Sequence, residues 1–212
     1  MPYSPVMMDV KIKICGITSV EDALAAFEAD ADMLGFMLSE QSPRHITIEK
    51  AREIARQLPP ATLRVGVFVN AKVEQVMFSL RICDFGGLQF HGDEPPAYCR
   101  QFGVKTIKAF RVRDAESLRA MPGYDTDYFL LDSYVSGRPG GTGETFNWNL
   151  AVEAKKLGKP VILAGGLTPQ NVAEAVRVVR PFGVDVSSGV ESAPGKKDRE
   201  KIRDFVAAVR GA

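Results

Sequence analysis

The sequence has few cysteine and histidine residues and no excess of charge of either sign. Its three cysteines, Cys15, Cys83 and Cys99, lie far apart, with no C-x-x-C motif and no nearby histidine pair. This odd, scattered set excludes a disulfide framework and lacks the spacing of a zinc site, so we expect no metal. The 27 basic and 26 acidic residues leave a formal net charge of +1. Without a basic stripe, a nucleic-acid partner is not expected.

Long apolar runs are also missing. No stretch approaches the roughly 18 apolar residues that a membrane span needs, and residues 1–10 lack the pattern of a secretory signal. We therefore predict no membrane partner and a cytoplasmic location. The 212 residues, 45% hydrophobic and 25% charged, have the composition of one globular domain. We assign it to residues 11–212, after an N-terminal extension at 1–10.

Short apolar or β-branched runs alternate with stretches of helical periodicity along the whole domain. The predicted strands are 11–15, 33–38, 63–69, 87–90, 104–110, 128–132, 161–164 and 184–187. The predicted helices are 20–29, 47–57, 72–81, 95–102, 114–120, 148–156, 171–179 and 198–209. Strands joined by single helices are parallel with right-handed crossovers, and eight such units close into a (βα)8 TIM barrel. An open, doubly wound sheet is the alternative.

Start signals support several of the helices. Thr18 and Glu21 have the spacing of a capping box, and Thr168-Pro169 offers an N-cap followed by proline. Asp93-Glu94, followed by Pro95-Pro96, is interpreted as helix N-capping and not as a catalytic carboxylate pair.

In a barrel the residues that follow the strands converge on one rim, where function is expected. Three small, glycine-rich segments follow strands six, seven and eight, and bare backbone N–H groups in such segments can surround a phosphate. Each segment alone could be a tight turn, but together they predict a phosphate site. The rim collects Cys15, Arg44, His91, Asp132, Gly141, Gly143, Gly165, Gly166, Ser187, Ser188 and Gly189.

Cys15 and Asp132 end strands one and six, so they are expected across the mouth from each other, as a thiolate base and a carboxylic acid. The alternative for Cys15 is a small buried hydrophobe. Lys13 shares the interior face with Cys15 and would supply the positive charge that a thiolate needs. We expect Lys13 to pair with Asp185 on strand eight; otherwise it reaches solvent.

Arg44 has a planar fork suited to a carboxylate, unless it is simply an exposed arginine. His91 either touches the substrate or hydrogen-bonds the rim.

With these residues assembled, the chain resembles the phosphoribosylanthranilate isomerase family from about Lys11 to the C-terminus. In order and spacing the set of motifs is highly specific, although Phe90 and Asn147 replace the more usual leucine and aspartate. The matching segments are Lys13-Ile14-Cys15-Gly16-Ile17-Thr18, Ser42-Pro43-Arg44, Val65-Gly66-Val67-Phe68-Val69-Asn70, Gln89-Phe90-His91-Gly92-Asp93-Glu94, Leu131-Asp132-Ser133, Gly140-Gly141-Thr142-Gly143, Leu163-Ala164-Gly165-Gly166-Leu167 and Asp185-Val186-Ser187-Ser188-Gly189-Val190-Glu191.

The resemblance implies an Amadori rearrangement in tryptophan biosynthesis, with a phosphorylated aminosugar as substrate and no metal or organic cofactor. It implies that Asp132 is the general acid and Cys15 the general base. It also implies that Arg44 holds the anthranilate carboxylate and that the loops bearing Gly141, Gly166, Ser187 and Ser188 bind phosphate. Other sugar-phosphate barrels, such as epimerases and aldolases, and a non-catalytic sugar-phosphate binder are the rivals. A homodimer is compatible with the sequence, and so is activity on a related histidine-pathway aminoaldose.

Overall fold

The computed structural model describes residues 9–133 and 148–212, and its central feature is a closed barrel of eight parallel strands hydrogen-bonded in chain order. Pairing of the last strand with the first, with Asp185 opposite Lys13, closes the barrel and excludes the open sheet. The predicted eight-stranded barrel is confirmed. Most of the predicted N-terminal extension lies outside the described residues. The strands are β1 (Lys11–Cys15), β2 (Met33–Met37), β3 (Leu63–Phe68), β4 (Gly87–Phe90), β5 (Lys105–Val112), β6 (Tyr128–Ser133), β7 (Val161–Leu163) and β8 (Gly183–Val186).

Helices lie outside the strands, and the helix predicted over 95–102 is reduced to a single turn, Pro96–Cys99. Between β5 and β6 the predicted helix 114–120 is wrong, because two 3-10 turns, Ala115–Leu118 and Met121–Gly123, occupy that segment. The Asp114 side chain accepts hydrogen bonds from the Ser117 amide and hydroxyl, which fixes the tight turn. The helices are α1 (Val20–Glu28), α2 (Ile48–Gln57), α3 (Val73–Cys83), the single turn α4 (Pro96–Cys99), α5 (Trp148–Lys155), α6 (Val172–Val179) and α7 (Arg199–Arg210).

Two of the predicted helix starts are displaced. Ser19, not Thr18, is the N-cap of α1 and accepts from the Asp22 amide at 3.1 Å. The Thr18 hydroxyl instead donates to the carbonyl of Gly195. At α6 the Thr168-Pro169 start is wrong: Asn171 is the N-cap, and its side-chain oxygen accepts from the Thr168 amide.

Apolar side chains fill two layers, one inside the barrel and one between the strands and the helices. The interior layer includes Met33, Val65, Ile107, Leu130 and Ile162. Since side chains alternate along a strand, positions two residues after an interior residue also face inward. No helix in the described ranges is long and apolar enough to cross a membrane.

A short hairpin follows β8 and contributes to the rim. It consists of β9 (Glu191–Ala193) and β10 (Lys196–Lys197), which are antiparallel. This hairpin brings Glu191 and Lys197 to the same end of the barrel as the C-termini of the strands.

Candidate active site

Inside the barrel, β1 and β8 place a lysine and an aspartate side by side. Lys13 Nζ lies 2.7 Å from Asp185 Oδ1, and the lysine side chain is fully buried. The predicted ion pair is therefore present. Burial by itself lowers the pKa of Lys13, but the charge of Asp185 and the neighbouring Cys15 raise it to about 12. Lys13 is thus a fixed positive charge below the rim.

Cys15 is the last residue of β1 and is buried beside Lys13. Gly35 on β2 stands opposite Cys15 in the strand register. A Cβ at Gly35 would lie 2.8 Å from both Cys15 Sγ and Lys13 Nζ, so a bare backbone is needed there. Burial raises the pKa of the Cys15 thiol, and the positive charges of Lys13 and Lys197 act in the opposite direction. Lys13 has the predicted effect on Cys15, but burial outweighs it.

Asp132 is part of a short hydrogen-bond network with Gln89 on β4 and His91 in the loop that follows β4. Asp132 Oδ2 lies 3.2 Å from His91 Nε2, and His91 Nδ1 lies 3.0 Å from Gln89 Nε2. Leu130, two residues before Asp132, belongs to the interior layer. Asp132 and Cys15 therefore face inward at the same end of the barrel, on strands three steps apart in the closed order.

Sequence reasoning did not single out Gln89. The signal that could have found it is a polar side chain at an interior position of a short apolar strand.

A second charged group lies where the hairpin meets the rim. Arg44 donates to Glu191 through Nε and Nη2, both at 2.7 Å, and Lys197 Nζ lies 2.9 Å from Glu191 Oε1. Burial raises the pKa of Glu191, but Arg44 and Lys197 together lower it below its ordinary value. Burial lowers the pKa of Lys197 despite the attraction of Glu191. One carboxylate shared by two cations leaves this group with a net positive charge beside Cys15.

No role was predicted from the sequence for Glu191 or Lys197. Hydrogen bonding to Glu191 raises the pKa of Arg44, so its guanidinium is a permanent cation. The alternative prediction, that Arg44 is simply an exposed arginine, is wrong, because Glu191 holds its guanidinium.

The glycine and serine loops after β7 and β8 lie next to each other, because Leu163 pairs with Val184 in the sheet. Gly165 and Gly166 have φ values of 80° and 68°, a conformation that favours glycine. A Cβ at Gly189 would collide with the Leu167 carbonyl oxygen, so Gly189 allows the two loops to touch. Ser187 Oγ is buried and has no hydrogen-bond partner among the described residues. Ser188 follows at the exposed surface, while Gly141 and Gly143 lie outside the described residues.

Glu94 does not cap a helix, which corrects the sequence interpretation. Pro95 is the N-cap of α4, and Glu94 is buried. Its carboxylate accepts hydrogen bonds from the backbone amides of Asn70 and Gly92 and from Lys108 Nζ at 3.0 Å. Glu94 therefore ties the loops after β3 and β4 together. A buried acidic residue next to a pair of prolines could not be distinguished by sequence from an exposed capping residue.

Comparison with known proteins agrees with this geometry. The family model of N-(5'-phosphoribosyl)anthranilate isomerase matches residues 12–208. The enzyme of that name from Trichlorobacter lovleyi is 53% identical over 203 residues, which cover 96% of this chain and 99% of the relative. A solved phosphoribosylanthranilate isomerase bound to reduced 1-(o-carboxyphenylamino)-1-deoxyribulose 5-phosphate is 40% identical, with a TM-score of 0.87 and coverage of 96% of this chain and 100% of the solved one.

A further solved structure, of monomers generated from the dimeric Thermotoga maritima enzyme, is 39% identical with a TM-score of 0.86, and it covers 96% of this chain and 100% of its own. The chain described here belongs to the N-(5'-phosphoribosyl)anthranilate isomerase family and is an enzyme, an isomerase built on a (βα)8 barrel.

Proposed function

We propose that this chain converts N-(5'-phosphoribosyl)anthranilate into 1-(2-carboxyphenylamino)-1-deoxyribulose 5-phosphate, the isomerisation step of tryptophan biosynthesis, by general acid–base catalysis. The observation that carries the proposal is that Cys15 and Asp132, remote in sequence, face inward at one end of the barrel in a chain matched by the family model over residues 12–208. An acid and a base on opposite sides of one sugar suit a reaction in which one atom, the ring oxygen, gains a proton while another, C2, loses one.

In the first step, Asp132 donates its proton to the furanose ring oxygen, the bond between that oxygen and C1 breaks, and the anthranilate nitrogen forms an iminium with C1. The thiolate of Cys15 then removes the proton from C2, and the electron pair of that bond neutralises the iminium. The enol that results tautomerises to the aminoketose as its C2 hydroxyl loses a proton and C1 gains one, and proton exchange with solvent returns Asp132 to the acid and Cys15 to the thiolate. Because the cationic nitrogen of the substrate acidifies C2, these steps use no metal or cofactor.

The charged groups at the rim are arranged for an anionic substrate. Arg44 would hold the anthranilate carboxylate, with Glu191 fixing the guanidinium from its Nε side. The adjacent loops that carry Gly165, Gly166, Ser187 and Ser188 would hold the phosphate through backbone N–H groups. Gly189 supports this site by permitting the close contact between the loops. We also retain Gly141 and Gly143 as predicted phosphate ligands.

The proposal is tested by following the loss of substrate fluorescence when the purified protein is added to N-(5'-phosphoribosyl)anthranilate. A parallel assay uses a pentose 5-phosphate that lacks the anthranilate group. We expect turnover of the first substrate alone. Turnover of the pentose phosphate without turnover of the anthranilate compound would reject the proposal in favour of another sugar-phosphate enzyme.

We further propose that the protein acts in the cytoplasm as a homodimer. The catalytic base must stay a free thiol, and all three cysteines in the structure are unpaired. A reducing compartment preserves that state.

The proposal of a homodimer rests on the related Thermotoga maritima enzyme, which is dimeric. Sedimentation of the purified protein measures the oligomeric state directly. A monomer at all concentrations would contradict the proposed homodimer.

A further inference from the structure

Gln89 is a polar residue in a place where the barrel is otherwise apolar. It lies in the middle of β4 with only 1% of its surface exposed. Its neighbours in the strand register are Val67 on β3 and Ile107 on β5, both buried. An amide at such a position loses its hydration on folding and needs a partner in return.

That partner is His91. The contact between Gln89 Nε2 and His91 Nδ1, at 3.0 Å, is the one side-chain hydrogen bond of Gln89 found in the described part of the chain. Its other polar atom, Oε1, is buried there without a partner. The amide of Gln89 is therefore not part of a wider hydrogen-bond network in the described residues. Its one side-chain hydrogen bond there is to the imidazole of His91.

The direction of this hydrogen bond determines where the imidazole carries its proton. An amide NH₂ group can only donate, so His91 Nδ1 must present a lone pair. A neutral imidazole with a lone pair on Nδ1 has its proton on Nε2, and Nε2 faces Asp132 Oδ2 at 3.2 Å. If the amide presented its oxygen instead, Nδ1 would be protonated and Nε2 would become free to accept a proton from Asp132.

Other charged groups near this loop are already engaged. Lys108 Nζ donates to the carbonyls of Phe90 and Gly92 and to Glu94. The Lys108–Glu94 pair thus holds the backbone on both sides of His91. Asp132 is the acidic side chain that contacts the imidazole in the described residues.

We propose that Gln89 is a positioning residue that keeps His91 neutral, with its proton on Nε2. Held in this state, His91 cannot take the proton that Asp132 must deliver to the substrate. Its Nε2–H group also stabilises the carboxylate that Asp132 becomes as the sugar ring opens, an interaction stronger in the transition state than before it. The inference depends on the proposed role of Asp132 as the general acid.

The tautomer can be measured without an activity assay, because the chain has only two histidines, His45 and His91. Histidine labelled with ¹⁵N in the ring is incorporated into the wild-type protein, and a His45→Asn variant identifies the signals of His91. We expect the His91 Nδ1 to resonate as an unprotonated nitrogen and Nε2 as a protonated one. Protonation of Nδ1 in the wild-type protein would overturn the proposal.

Kinetics of two variants complete the test. Gln89→Glu replaces the donor by an acceptor, so we expect both His91 nitrogens to become protonated and kcat to fall by about 10²-fold, the scale of losing an acid–base group. Gln89→Met keeps the size without either polar atom, and we expect a smaller fall in kcat with KM nearly unchanged. If Gln89→Glu does not fold, the Met variant decides, and wild-type kcat in that variant would refute the proposal.

Failure of the proposed acid role gives a different result. In that case Asp132→Asn retains activity while the His91 signals of the wild-type protein still show the proton on Nε2. Retained activity in the Gln89→Glu variant, beside a loss of activity in Asp132→Asn, would reject the role of Gln89 alone.

Discussion

Arg44 and Glu191, 147 residues apart in sequence, meet through two parallel hydrogen bonds of 2.7 Å at the rim of the barrel. The guanidinium has five N–H donors in a rigid plane, and this pair uses two of them. Since the Glu191 side chain is only 5% exposed and also binds Lys197, it fixes the plane of Arg44 before any substrate arrives. The substrate carboxylate would thus meet a preoriented cation.

Removal of the Glu191 charge is expected to weaken substrate binding and to destabilise the fold. In Glu191→Gln, Arg44 loses its bidentate partner and Lys197 is left as a buried cation without its carboxylate. We expect a raised KM and a loss of about 3 kcal/mol in the free energy of unfolding, typical of breaking a buried pair. Steady-state kinetics and urea denaturation measure the two effects.

Asp84→Asn is the matched control, because Asp84 pairs with Arg64 but its side chain is 87% exposed. A surface pair of this kind contributes less than about 1 kcal/mol. If Glu191→Gln were as stable as the Asp84 variant and had an unchanged KM, Arg44 would not depend on Glu191.

The two proposed catalytic groups are expected to be separately essential. Cys15→Ser replaces the thiol by a far weaker acid, and Asp132→Asn removes the transferable proton. We expect each to lower kcat by at least about 10²-fold without altering the far-ultraviolet circular dichroism. Asp93→Asn, at an exposed position of the same rim, and Cys83→Ser, in a helix away from it, are the controls. Activity near the wild-type level in either test variant excludes the role assigned to that residue.

The barrel and its interior ion pair could be predicted because they depend on simple periodicities. Alternation of side chains puts Lys13 and Cys15 on one face, and closure of eight parallel strands brings β8 next to β1. With those two conditions, Lys13 and Asp185 become neighbours regardless of loop structure. The observed 2.7 Å contact follows from the register.

The roles of Lys197, Glu94 and Gln89 could not be predicted in the same way. Lys197 reaches Glu191 through a hairpin whose path depends on tertiary contacts. Glu94 binds amides of two separate loops, an arrangement that local sequence does not encode. The N-cap of α1 could not be predicted either, since Thr18 and Ser19 are both good capping residues. In the structure the Thr18 hydroxyl is engaged by the distant Gly195 carbonyl, and Ser19 caps the helix.

Gly35 is expected to be required for activity because of the space it leaves. In Gly35→Ala the new methyl group would lie 2.8 Å from both Cys15 Sγ and Lys13 Nζ, so the thiol must move away from its place at the rim. We expect a large fall in kcat from a protein that still folds. Gly87→Ala is the control, since a Cβ at this position of β4 would make only ordinary contacts of 3.5 Å or more. Equal activities of the two variants would show that the thiol position is not critical.

The pH dependence of thiolate formation should report the balance of charges around Cys15. Burial raises the pKa of the thiol, while Lys13 and Lys197 lower it. Because the thiolate is the basic form and its pKa is raised, the thiolate fraction is small at neutral pH and grows as the pH increases. We expect the rate at which iodoacetamide alkylates Cys15, a reaction that needs the thiolate but not the proton of Asp132, to keep rising beyond pH about 8.5, the ordinary value for a thiol. Lys197→Met removes one positive charge, so the rise should move to still higher pH, with a lower alkylation rate at pH 7.

Alkylation kinetics across the alkaline range measure the shift. The control is Lys156→Met, at an exposed surface pair, which should leave the profile unchanged. If Lys197→Met also leaves the profile unchanged, the positive charge of Lys197 does not act on Cys15.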